Sequence, residues 1–217
     1  KLSSPAARTP PRRPRLSPFP PPKGTGTVRL TPLTSLTPEQ TELLETIVGP
    51  GVEPPPPFLV WARNMELAHW VENLGAYCRD RSRFPQRLRE LSVLIAARHF
   101  DSQAAWNAHI QQAVEEGVPA ECLDRLARGE DPAFEAEDER VFHAFAHEML
   151  HDHFVTDETC AAALALFGED GVLDLIGCVG SFSMSAMMLN TFHIPLRPHL
   201  PRPFPDVDGF RRVPADD

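Results

Sequence analysis

Two stretches of helical periodicity flank a short reversal, and they constrain the fold more than any other feature. Arg87-Leu-Arg-Glu-Leu-Ser-Val-Leu-Ile-Ala-Ala-Arg98 precedes the reversal, and Gln103-Ala-Ala-Trp-Asn-Ala-His109 follows it. Leu88, Leu91, Leu94 and Ile95 recur at helical spacing and predict one buried stripe. The reversal at His99-Phe100-Asp101 predicts an antiparallel helical hairpin. In such a pair, positions equidistant from the turn come level. Glu90 and His109 stand nearly the same distance on either side of Phe100, so the hairpin predicts a carboxylate facing an imidazole. That pairing suits proton transfer. A buried polar pair that only fixes helix register would read the same way.

The rest of the chain is also helical in pattern. Thr37-Pro38-Glu39-Gln40 reads as an N-cap, a first-turn proline and a first-turn acid, opening a helix that ends near Val48. Glu53 to Pro57 reads as an extended proline linker and Phe58 to Arg63 as a short apolar segment. Met65 to Tyr77 predicts a helix through Leu67, Trp70, Val71 and Leu74. Further helices are predicted from Pro85 to about Arg98, to Glu116 after a cap at Asp101 or Ser102, and from Val118 to Ala127 before Gly129. Glu135 to about His151, Asp157 to Phe167 and Gly171 to Thr191 complete the set. No convincing period-2 strand occurs, so the expectation is an all-α bundle.

Charge is unevenly spread. Residues 1–27 hold six of the 21 basic residues and none of the 30 acidic ones, leaving 15 against 30 in the remainder. A body this acidic does not suit nucleic acid. The first 27 residues, with eight prolines and almost no large apolar groups, are expected to be disordered. The domain is placed at 28–196, with a proline-rich coil at 197–217. The apolar run richest in length, Val172 to Met188, is interrupted by Asp174, glycines and serines, so no membrane span is expected. Cys78, Cys122, Cys160 and Cys178 lie in apolar contexts with no CxxC spacing. They read as buried free thiols in a reducing cytoplasm.

His143, His147 and His151 fall four residues apart on one helix. The outer two are separated by about 12 Å of rise, too far to share one metal ion. A solvated or subunit-facing stripe is expected, with no metal. Gly177 to Met188 is rich in small residues and methionine, which suits a core or oligomer interface. Ser181, Ser185 and Asn190 could alternatively line a pocket.

Arg89-Glu90-Leu91, Trp106-Asn-Ala-His109, Glu116-Gly-Val-Pro119 and the closing helix from Gly171 to Pro195 together resemble the carboxymuconolactone decarboxylase family, with its AhpD-like helical fold. The resemblance extends over roughly Leu30 to Leu196. The disulfide-reductase branch of that family carries a CxxC pair, a histidine four residues later and a glutamate in the preceding helix. Here Glu90 and His109 hold the last two positions, and Ser102 and Ala105 replace the cysteines. The resemblance therefore implies proton chemistry without thiol redox: a cofactor-independent lyase or isomerase acting on a small organic acid or lactone. His109 would deliver the proton and Glu90 would orient the ring. Arg98 and Arg89 are candidate carboxylate clamps, with surface salt bridges the commoner role for such residues, and Trp106 is a candidate apolar wall, with a place in the core the commoner role. The resemblance also implies a homo-oligomer. The enzymatic alternative is a peroxidase-like antioxidant protein, which needs a cysteine to reach a redox position. The non-enzymatic one is a binding or scaffold member of the fold.

Overall fold

A computed structural model describes residues 24–25, 29–31, 33, 35–194, 202–205, 207 and 210–211. Most of the segment 1–27 expected to be disordered and most of the expected coil at 197–217 lie outside the described residues. The described chain is an all-α bundle. A two-residue parallel pairing joins Gly24–Thr25 to Phe210–Arg211.

Local chemistry sets the helix starts. Helix α1 (Pro38–Val48) opens on a reciprocal capping box. Thr37 Oγ1 accepts from the Gln40 N–H at 3.2 Å, and Gln40 Oε1 accepts from the Thr37 N–H at 2.9 Å. Helix α2 (Pro56–Trp61) corrects the sequence reading of an extended linker through Pro57. The first turn of a helix needs no N–H donors, so its prolines start the helix instead of preventing it. Helix α3 (Met65–Ala76) is capped by Asn64 and runs on into a π turn, Tyr77–Arg81.

Helix α4 (Gln86–His99) is the centre of the bundle. It is buried continuously from Glu90 to Ala97, not along one stripe, because α5 (Gln103–Glu115), α7 (Glu137–His151) and α8 (Asp157–Phe192) all pack on it. Helix α6 (Ala120–Arg128) closes one end and stops at Gly129 in the left-handed region, φ 74°. Phe84, Phe142 and Phe167 form an edge-to-face trio, with ring centroids 5.2 Å apart for Phe84–Phe142 and for Phe84–Phe167.

The two helices expected at Asp157 to Phe167 and Gly171 to Thr191 meet at Gly168, whose φ of 70° and ψ of 176° break α8. L-residues avoid this backbone region. Gly168→Ala should therefore cost about 2 kcal/mol, read as a lowered midpoint in urea. By length and hydropathy alone α8 is long and apolar enough to cross a membrane. Yet 56% of its most apolar window is buried inside the bundle.

The C-terminal coil is not wholly outside the core. Phe204 is buried, its ring lies edge-on to Trp106 at 5.7 Å, and its carbonyl accepts from Gln103 Nε2 at 2.7 Å.

Candidate functional site

The α4–α5 turn sets the register of the hairpin. Ser102 N–H bonds the Ala97 carbonyl at 2.7 Å, and Asp101 takes a positive φ of 51° between them. From that turn, the two helices bring Glu90 and His109 level. His109 Nδ1 lies 2.8 Å from Glu90 Oε2. The other carboxylate oxygen, Oε1, accepts from Gln86 Nε2 at 2.7 Å, one helical turn earlier on α4. Phe182 of α8 packs against the imidazole, with the ring centroids 6.1 Å apart.

Exposure divides the pair. The Glu90 side chain is 6% exposed and that of His109 is 33% exposed. The carboxylate is therefore held inside, both oxygens occupied, and the imidazole stands between it and solvent. With Nδ1–H donating to the carboxylate, Nε2 is the nitrogen left to exchange a proton. Gln86 and Phe182 were missed in the sequence. A glutamine at i−4 from the glutamate was the one signal that pointed to Gln86.

The two proposed clamps separate. Arg89 follows the helix beside Glu90, and its Nε is buried without a hydrogen-bond partner among the described residues. Arg98 is corrected. It lies two turns further along α4, where its Nε donates to the Ala127 carbonyl at 2.8 Å and its guanidinium meets Asp101 and the Phe204 ring. These contacts tie the end of α6 to the hairpin turn. Trp106 takes the core reading and not the pocket-wall one: it is 3% exposed and packs on Phe204. Ser102 and Ala105 are both buried, at the two positions where cysteines would stand.

The pocket-lining alternative for the last helix is not what the side chains do. Asn190 Nδ2 donates to the Phe100 carbonyl at 2.7 Å, and Ser185 Oγ donates to the Ser181 carbonyl one turn back. Surface hollows of about 560 and 300 Å³ lie along α1 and at the start of α4. Neither is lined by Glu90 or His109.

The histidine run forms a ladder of rings. His147 and His151 stack at 4.1 Å, His143 follows His147 at 5.7 Å, and His99 of α4 meets His151 edge-on at 4.7 Å. No group of three potential ligands among the described residues is arranged to hold a metal ion. The His143 ring sits between Phe134 and His147. Burial, then the neighbouring His147, pushes its pKa down to about 4. The native state thus favours the neutral ring, whereas the unfolded chain binds a proton near pH 6.5. Stability contributed by His143 is complete above that pH and is lost as pH falls towards 4. After allowance for partial exposure the loss should be about 2 kcal/mol, absent in His143→Phe. Urea midpoints measured from pH 7 to pH 4 check it.

No family model matches the chain, and no curated protein or solved structure matches it either.

Proposed function

We propose that this chain is a cofactor-independent, carboxymuconolactone decarboxylase-like enzyme that moves protons on a small organic acid or lactone. One observation carries the reading: a buried carboxylate fixed from two sides holds the Nδ1 face of a solvent-reaching imidazole at 2.8 Å. When a carboxylate substrate loses CO₂, the C–C bonding pair stays on carbon. Imidazolium at His109 gives that carbon its Nε2 proton, and water restores the proton afterwards. Glu90 stabilises the imidazolium before the transfer and again once the proton is restored. Arg89, whose buried Nε lacks a partner among the described residues, supports substrate-carboxylate docking. Arg98 and Trp106 have no part in this reading, being committed to the turn and the core.

Screening lactones and β-keto acids for CO₂ release tests the reading, with His109→Gln as the control. Turnover by the native chain that His109→Gln abolishes is expected. Equal turnover by both overturns the site.

A homo-oligomer belongs to the same proposal. Leu67, Trp70, Leu74 and Tyr77 form an exposed apolar stripe on α3 and its π turn, with Trp70 69% exposed. Such a stripe supports association. Light scattering should give a multiple of the 24.2 kDa chain mass, and Trp70→Glu should reduce it to one chain.

A further inference from the structure

Cys78 and Cys178 are a hundred residues apart in sequence, yet the fold brings their thiols together. The π turn carries Tyr77 and Cys78 side by side. Asp174 and Cys178 lie one turn apart on α8. Tyr77 Oη donates to Asp174 Oδ1 at 2.5 Å, and the Arg83 N–H donates to Oδ2 at 2.8 Å. Those two bonds pin the π turn and the loop after it onto α8. One turn further along α8, Cys178 faces the π turn beside Cys78, and the two thiols act on each other's ionisation. Ser82 fixes the same corner, its Oγ donating to the Cys78 carbonyl at 2.8 Å while standing beside the Cys178 sulfur. Both thiols are free, Cys78 being 1% exposed and Cys178 fully buried.

The pair is asymmetric. The neighbouring Cys178 thiol lowers the Cys78 thiol, against the opposing effects of burial and of Asp174. Cys178 is pushed up. One sulfur is thus the better nucleophile and the other retains its proton. Tyr77, whose phenol reaches across to Asp174 beside the pair, is 37% exposed.

We propose that Cys78 and Cys178 are a redox pair that a small hydroperoxide converts into an intrachain disulfide. The Cys78 thiolate attacks the terminal peroxide oxygen, the O–O bond breaks, and the departing alkoxide takes the thiol proton to become an alcohol. Cys78 is left as sulfenic acid. The Cys178 sulfur then attacks Cys78, the S–S bond forms, the S–O bond breaks, and the hydroxide leaves as water with the Cys178 proton. The dithiol gives up two electrons and the peroxide accepts them. The new bond ties the π turn to α8 and closes a loop of about 100 residues, so the oxidised chain should melt roughly 10 °C higher.

The test treats the folded native chain with hydrogen peroxide, alkylates the remaining thiols after denaturation, and maps peptides without reduction. Exposed Met187 reports that the oxidant dose sufficed. A linked Cys78–Cys178 peptide, lighter by two hydrogens and cleaved by dithiothreitol, is expected, with Cys122 and Cys160 still alkylated. In Cys178→Ser the oxidation should stop at an acid on Cys78. Cys78 and Cys178 both remaining alkylatable after Met187 is oxidised overturns the proposal. So does a disulfide joining any other two cysteines.

Discussion

Replacing His109 with alanine should lower turnover by about 10²–10⁴-fold, the range a positioned acid–base group supplies. The same change should cost about 2 kcal/mol of stability, because it leaves one oxygen of the buried Glu90 without its donor. The two losses have separable origins, and His109→Gln separates them. A glutamine amide can donate to Glu90 Oε2 from a similar position, but it cannot carry a proton to substrate. Stability should therefore return close to the native value while turnover stays as low as in the alanine variant. If the pair served only to hold α4 and α5 in register, the glutamine chain would recover every property together. Urea midpoints and rates on one substrate, measured for all three chains, decide between these outcomes.

How much of this was legible in the sequence depends on how local each interaction is. The Glu90–His109 pairing follows from counting outward from a turn, and the turn lies where its residues predict, because the hairpin is short and its register is fixed by adjacent backbone bonds. Arg98 was legible only in part: its ion pair with Asp101 is local, but its other contacts are not. Its partners, the Ala127 carbonyl and the Phe204 ring, come from distant chain that nothing near Arg98 announces. The core place of Trp106 was legible from its helical position, but its partner Phe204, from a segment rich in proline, was not. The periodicity of Leu67, Trp70 and Leu74 marked an apolar face correctly but could not say that no other part of the described chain covers it. The Cys78–Cys178 contact carried no sequence signal, because an unusual π turn and a bond from Tyr77 to Asp174 create it.

A second large effect should come from Arg87, on the side of α4 that faces α7. Its guanidinium reaches Glu139 at 2.9 Å through Nη1 and Asp138 through Nη2. Asp138 is partly exposed, but the Glu139 side chain is only 3% exposed. Burial pushes the Glu139 carboxyl above the usual carboxylate range, and Arg87 opposes that push. Arg87→Ala strands a buried carboxylate, and breaking such a pair from one side costs about 3 kcal/mol or more. Glu139 in that variant titrates higher still, so its protonated form favours the fold. That contribution is complete below the unfolded carboxylate pKa and is lost as pH rises through the folded one. The stability deficit of Arg87→Ala should therefore be greatest near neutral pH and shrink as pH falls through the carboxylate range. Adding Glu139→Gln to Arg87→Ala should recover most of the deficit at neutral pH, because the amide buries no charge. A double variant no more stable than Arg87→Ala would show that the arginine acts through packing alone.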